Sequence, residues 1–489
     1  MALLAAFLGW MFDGFEMGVF GLVARPALRD LLGPGLEGQV GHWLGIVIAV
    51  FLVGAATGGV LFGWLGDRIG RVKAMMLSVA TYALFTGVCG LATSVEQLAV
   101  LRFIASLGMG GEWALGVALV MEVWPNRSRA WLAGVIGSAA NVGFALVALL
   151  GIVLGTFLGE MKSLLSVMGM STATVQWLTA FDGWRLLMLV GTVPALLTFL
   201  IRLFVPESER WQREKERGAT SHWLSRDLLG VLIGAAGAIG IIGLWAAEFP
   251  WAVRLTGTVA GLLVATLGCL YPVIRYLQRN LQPEEQAEYR LGGVLRRMLF
   301  GALISGIPLL GTWGSIQWVP TWADKMTEQA GQHQPTAKGY TQFWSATGAV
   351  FGTIAAALLG DLVGRRLAYA LLCLCALGVT QGLFYFCDRY STGFLFVVFW
   401  AGFFVGSFYG WIPLYLPELF RTRVRSISQG FAYNFGRILA AVGTLQTGAL
   451  FKFFDNSYPA ACALMSLIYL LGMVVIWFGP ETRGQPLPE

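Results

Sequence analysis

Five ionisable side chains, Asp13, Glu16, Arg102, Glu112 and Arg437, stand inside long apolar runs. At the centre of a bilayer such a group costs about 2.5 to 3.5 kcal/mol on insertion scales, so it faces a cavity or a partner. Burial favours the neutral form of a carboxyl and a nearby guanidinium favours the ionised form, so a carboxylate beside a movable arginine takes up and releases a proton. That chemistry makes Asp13, Glu16, Arg102 and Glu112 a proton-coupling set, the other reading being a permanent structural ion pair. Asp13 and Glu16, three residues apart, share one helix face. Arg437 differs, because a guanidinium stays charged and its planar fork grips a carboxylate or phosphate through two hydrogen bonds. It points to an anionic substrate, unless it forms an internal salt bridge to Asp13. Stacking faces and neutral hydrogen-bonding groups for a substrate are offered by Trp313, Gln317, Trp318, Gln342, Trp344, Asn434 and Asn141. Most of the 19 tryptophans, by contrast, are expected in packing or at membrane interfaces.

The elements that must position these groups are membrane helices. Of 489 residues, 57% are apolar and 12% charged, against about 25% charged in an ordinary soluble domain. This excludes a soluble enzyme and a disordered chain. Apolar runs bounded by charge predict spans at 3–28, 40–65, 74–91, 98–121, 130–158 and 184–204, then at 298–323, 342–359, 367–386, 392–416, 428–450 and 459–478. Two further runs, 228–247 and 255–277, lie between these groups. The expected organisation is an N-terminal six-helix half (1–205), a central cytoplasmic linker with an extra transmembrane hairpin (206–297), and a C-terminal six-helix half with a short tail (298–489), fourteen spans in all.

Lys and Arg concentrate in the loops that share a side with both termini, which places both ends in the cytoplasm under the positive-inside rule. The net charge of +6 therefore reports orientation in a cytoplasmic (inner or plasma) membrane and not a nucleic-acid partner. No basic segment precedes the first span, so no cleavable signal peptide is expected; the abrupt start is also compatible with a missing N-terminal tail. Counting 1.5 Å per residue, Asp13 lies roughly 15 Å and Glu16 roughly 20 Å from the inner end of the first span. Arg102 lies roughly 6 Å and Glu112 roughly 21 Å from the outer end of the fourth, and Arg437 roughly 14 Å from the inner end of its own. Depth pairs Arg102 with Glu16 and sets Arg437 level with Asp13.

The two halves repeat one another. Leu65, Gly66, Asp67, Arg68, Gly70 and Arg71 recur as Leu359, Gly360, Asp361, Leu362, Gly364 and Arg365; Glu122 with Arg129 recurs as Glu418 with Arg425. Each half closes alike, with Pro206-Glu207-Ser208-Glu209-Arg210 and Pro480-Glu481-Thr482-Arg483-Gly484. At the offset of the Glu and Arg pairs, the counterpart of Arg437 is Asn141. Such duplication is how many transporters build two halves around a central site.

The first loop resembles the signature of the major facilitator superfamily: Gly, three residues, Asp-Arg, one residue, Gly-Arg. Arg102 followed by Gly108, Gly110 and Gly111 is similar to its fourth-span signature. The resemblance covers both groups of six and omits the central hairpin. It implies an all-α polytopic fold of two six-helix halves related by a pseudo-two-fold axis. It also implies a cytoplasmic gate of Asp67, Arg68, Arg71, Glu122 and Arg129, with Asp361, Arg365, Glu418 and Arg425 acting likewise in the other half. The alternative is that these charges only determine topology. In proton-coupled sugar symporters of the superfamily a first-span Asp pairs with the fourth-span Arg, which here points to Asp13 and Arg102. Phe12-Asp13-Gly14-Phe15-Glu16, Gly110-Gly111-Glu112-Trp113 and Tyr433-Asn434-Phe435-Gly436-Arg437 resemble the organic-acid symporter branches that carry sialate, lactate or aromatic acids, with Glu16 where many relatives have Asp. The closing motifs resemble sugar porters as well.

The reading is a secondary active transporter for proton-coupled symport of a small organic anion by alternating access, with a sugar or polyol porter as the alternative. It implies a small-molecule substrate and protons as partners, a lipid bilayer around a monomer, and no cofactor beyond the proton gradient. A polytopic membrane enzyme is the weaker rival: the three histidines lie at span ends or in the linker, no Walker loop is present, and the six cysteines read as packing residues.

Overall fold

The computed structural model describes residues 2–123, 129–196, 201, 204–247, 249–280, 290–331, 334, 336–442, 445, 454 and 457–488. Among them the only regular structure is helical. A backbone in hydrocarbon has no water to bond with, and a helix satisfies its own N–H and C=O groups. Twelve helices among the described residues are long and apolar enough to cross a membrane.

The N-terminal half contains α1 (Ala2–Leu32), α2 (Val40–Ile69), α3 (Arg71–Cys89), α4 (Val95–Val123), α5 (Arg129–Ile152), α6 (Leu154–Val167) and α7 (Thr172–Val190). The linker holds α8 (Glu209–Glu216), α9 (Leu228–Ala246) and α10 (Trp251–Arg279). The C-terminal half holds α11 (Leu291–Gly314), α12 (Val319–Gln329), α13 (Ala337–Val363), α14 (Arg365–Phe386), α15 (Thr392–Gly406), α16 (Phe408–Leu419), α17 (Arg425–Asn434), α18 (Tyr458–Ser466) and α19 (Ile468–Val475). Helical residues 436–442 continue the line of α17.

Several expected spans are interrupted. The run 298–323 stops at Gly314 and restarts in α12 with Pro320 in its first turn, where a missing N–H does no harm. The run 392–416 breaks at Ser407, between α15 and α16. The run 130–158 divides at Val153, between α5 and α6. Before 184–204 the chain leaves helical geometry at Ala180–Gly183, with positive φ at Phe181 and Asp182. The far ends of the runs 184–204 and 428–450 lie outside the described residues.

The halves meet along two seams, α2 against α17 and α5 against α13 and α16. Close approach on the first depends on glycine: a Cβ added to Gly430 would stand 2.0 Å from the Gly59 carbonyl oxygen. In the linker, α9 and α10 pack on each other through Gly230, Gly234 and Gly268, and α9 lies against α2. Their base is pinned by Arg279, whose guanidinium donates to both oxygens of Asp227 at 2.6 and 2.7 Å, and by Trp223 stacked on Tyr276 at 4.0 Å.

Candidate functional site

The charges of the two loop signatures meet at one end of the bundle. Between α2 and α3 only Gly70 intervenes, at φ +112°, and between α13 and α14 only Gly364, at φ +98°. A side chain is strained at such angles, and at Gly70 a Cβ would also stand 2.2 Å from Glu207 Oε2. The turn swings Arg71 back under α2. Its guanidinium donates to Asp67 Oδ1 at 2.7 Å, to Glu122 Oε1 at 3.1 Å and, across the seam, to the Thr422 carbonyl at 2.7 Å. Asp67 accepts from the backbone N–H groups of Ser426 and Ile427 at 3.2 and 3.0 Å, so a carboxylate of one half sits on the N-terminus of α17 in the other. Glu122 also takes Arg425 from the opposite half at 2.7 Å. Asp67, Arg71, Glu122 and Arg425 are all buried, so this face is closed.

The second-half copy is lopsided. Arg365 binds Glu418 at 2.8 Å, but Asp361 is 3.3 Å away with its side chain 55% exposed. The expectation that each half's four charges pair alike needs correction. Arg425 leaves its own half for Glu122, and Arg129 leaves its half for Glu418 at 3.5 Å and for the Gln485 carbonyl at 2.7 Å. Arg68, expected in the gate, instead donates to Ser225 Oγ of the linker at 2.7 Å and lies over the Trp64 ring.

Residues not expected here complete the network. Glu207 accepts from the N–H groups of Arg71 and Val72, and Glu481 from those of Arg365 and Arg366. Ser208 donates to Glu122 and Thr482 to Glu418, both at 2.5 Å. Partial burial acts to raise Glu481, yet the N–H groups of Arg365, Arg366 and Arg483 and the Arg365 guanidinium outweigh it and hold this carboxyl below its ordinary value. The repeated Pro-Glu-Ser and Pro-Glu-Thr motifs were the signal; only the fold reveals that each caps its half's signature turn.

At the other end the halves part around a cleft that leaves about 290 Å³ for the centres of water molecules. Arg437 stands at its inner end with Trp10, Tyr433 and Tyr409, while Arg25 and Lys338 line it near the ends of α1 and α13 far from the signature turns. Asn141, Trp313, Gln317, Trp318 and Gln342 are among the residues that line it. The break between α11 and α12 is what brings Gln317 and Trp318 to the cleft. Arg437 is 7% exposed, and its Nε and Nη1 have no hydrogen-bond partner among the described residues.

Residues 1–228 and 289–489 match the family described as Sugar (and other) transporter. The chain belongs to this family, within the major facilitator superfamily. The unmatched interval contains nearly all of α9 and α10. The transporter is 27% identical to a probable 4-methylmuconolactone transporter of Cupriavidus pinatubonensis, over 98% of this chain and 90% of that protein. It is 25% identical to a cis,cis-muconate transport protein of Acinetobacter baylyi, over 99% of this chain and 95% of that one. Among solved structures, the proton:xylose symporter XylE bound to 6-bromo-6-deoxy-D-glucose superposes with a TM-score of 0.67 at 18% identity, covering 99% of this chain and 97% of that one. The transporter is an integral membrane protein and not an enzyme.

Of the two partners that the sequence offered for Arg102 the structure shows one, and two residues expected at the substrate site lie elsewhere. Arg102 pairs with Glu16, not Asp13, and its guanidinium lies over the rings of Phe20 and Phe51 at 4.0 and 4.5 Å. Thr86 donates to the same Glu16 oxygen at 3.0 Å. Asn434 is fully buried and does not line the cleft; its amide donates to the carbonyls of Gly110 and Gly430 at 2.9 and 3.1 Å, so it seals the seam between α17 and α4. Trp344 packs edge-on against Phe399 outside the cleft. Arg25, Lys338 and Tyr409 were missed, because nothing in their local sequence separates a cleft residue from an interfacial one.

Proposed function

We propose that this transporter carries a small organic anion together with protons, by alternating access between the halves 1–205 and 298–489. The observation that carries the reading is Arg437, nearly buried at the inner end of the cleft with two guanidinium nitrogens unpartnered. A buried cation without a full set of acceptors is costly unless a ligand supplies them. Among the described residues no Asp or Glu lines the cleft beside it, so a substrate carboxylate is the natural acceptor. Support also comes from the relatives named for muconate and 4-methylmuconolactone. In this reading Asp13, Glu16, Arg102 and Glu112 couple the proton, and Asp67, Arg71, Glu122, Arg129, Asp361, Arg365, Glu418 and Arg425 gate the cytoplasmic face of a monomer in the cytoplasmic membrane. The closed signature face then makes this the outward-open state.

A sugar or polyol is the second reading, favoured by the neutral lining of Asn141, Gln317 and Gln342 beside Trp313. Uptake into proteoliposomes separates the two. With labelled cis,cis-muconate, lactate, sialate, benzoate and xylose, accumulation is expected for a carboxylate and only under an imposed inward proton gradient. Accumulation of xylose alone would return the sugar reading, and carboxylate uptake indifferent to the gradient would remove the proton.

The linker hairpin, in the same proposal, crosses the membrane twice, with its tip outside. Trp251 at that tip is 62% exposed. A Trp251→Cys variant in intact cells is expected to react with a membrane-impermeant maleimide from the external side. Labelling from the cytoplasmic side alone would remove the two extra spans.

A further inference from the structure

Asp13 on α1 and Glu112 on α4 are 2% and 1% exposed, and their carboxyl groups lie within hydrogen-bonding range of each other. No N–H or O–H donor among the described residues reaches either Asp13 oxygen or Glu112 Oε2. Neither carboxyl belongs to an ion pair there, whereas Glu16 beside them has Arg102 and Thr86. The other groups facing this pair are Glu16 from α1, Tyr82 from α3, and Arg437 and Tyr433 from the opposite half. The Tyr82 hydroxyl is buried and has no partner either.

Two ionised carboxylates in contact are acceptors facing acceptors, in a place where buried polar atoms otherwise find partners. One proton between them supplies the missing donor, reduces two negative charges to one and creates an O–H···O⁻ bond, the shorter and stronger kind. Such a pair titrates as a unit. We infer that Asp13 and Glu112 together hold the transported proton as a shared acid pair, and that Glu16 with Arg102 is the fixed ion pair beside it. The transport role rests on the symport reading above; the shared proton does not.

The pair is wired to the cleft. Trp113, the neighbour of Glu112, stacks on Tyr433 at 3.7 Å and 13°, and Tyr433 lies 5.7 Å beneath the Arg437 guanidinium. Loss of the proton to water, as hydronium, leaves a second carboxylate that needs a cation. Arg437 can serve only when no substrate anion occupies it. Anion and proton therefore bind together and leave together, which is positive linkage between two sites. Gly9 makes the geometry possible, since a Cβ there would stand 1.9 Å from Glu112 Oε1.

Difference infrared spectroscopy of the purified, ligand-free protein across a pH titration reads the proton directly. The parent is expected to show a protonated-carboxyl stretch that persists at neutral pH. The band should vanish in Asp13→Asn and in Glu112→Gln, because the new amide donates to the remaining carboxylate, and should survive in Glu16→Gln. Gly9→Ala removes no carboxyl and displaces only the flexible end of Glu112, so its band should be lost at lower pH than the parent's. A parent without the band, a band unchanged in Asp13→Asn or Glu112→Gln, or a band lost in Glu16→Gln overturns the inference. If the amide variants do not fold, an unchanged titration of Gly9→Ala overturns it. Since no substrate is used, failure of the uptake panel leaves this result standing. Gradient-driven uptake with no band would keep the symporter and move its proton elsewhere.

Discussion

Replacing Arg437 with glutamine is expected to weaken binding of a transported carboxylate by about 3 to 5 kcal/mol, the scale on which a buried charge loses its partner. That is roughly 150-fold to several thousand-fold in affinity. The anion would then sit at the inner end of a cleft whose remaining cations, Arg25 and Lys338, line its other end. Lysine at 437 keeps the charge and loses the planar fork, so a loss of about 1 to 3 kcal/mol is expected. A neutral sugar gains little from a guanidinium, and its affinity should change far less. Isothermal calorimetry on the purified variants, with whichever carboxylate of the panel is accumulated, measures the difference. Parent-like affinity in Arg437→Gln would remove the anion site and leave the neutral lining of Asn141, Gln317 and Gln342 as the basis of recognition.

Arg437 was legible in the sequence because a guanidinium in an apolar run has few reasons to exist. The pairing of Arg102 with Glu16 was legible too, since rise per residue fixes depth. Depth says nothing about rotation, however. Which face of α1 meets α4 is set by contacts such as Gly9 under Glu112, and that is why the Asp13 and Glu112 contact was not foreseen. Asn434 failed for the same reason: three residues before Arg437, it is turned into the seam instead of the cleft. The duplication exposed the signature turns and their four-residue partners. It also suggested that each half keeps its own charges, whereas Arg425 and Arg129 trade halves, a swap that an internal repeat cannot encode because both copies predict the same local pairing. The helical breaks at Ser315 and Ser407 were invisible to an apolar-run reading, although Pro320 marked one of them.

The trade of arginines between halves sets the second large effect, at Glu122. Its two oxygens take Arg71 from α3, Arg425 from α17 and the Ser208 hydroxyl, so one carboxylate neutralises two buried guanidinium groups on opposite sides of the seam. In Glu122→Gln the amide keeps one acceptor, turns an N–H₂ towards further donors, leaves Arg425 without its carboxylate and leaves Arg71 with Asp67 alone. Breaking a buried pair from one side costs about 3 to 5 kcal/mol. The penalty falls on the state in which this face is closed, because opening the seam lets Arg425 reach water. Two transport states lie within a few kcal/mol of each other, so a penalty of this size shifts their ratio by roughly two to four orders of magnitude. Ser426→Cys reports the change: residue 426 is fully buried at the start of α17, and its own hydroxyl has no partner to lose. Maleimide labelling of that cysteine is expected to be slow in the parent and rapid in the Glu122→Gln background. Glu418→Gln should have a smaller effect, because Glu418 serves mainly Arg365 of its own half and reaches Arg129 at only 3.5 Å. Equal protection of the cysteine in all three backgrounds would mean that the glycine-lined seam of Gly59 and Gly430 holds the face shut without the charges, and the network would then be a feature of topology and not a gate.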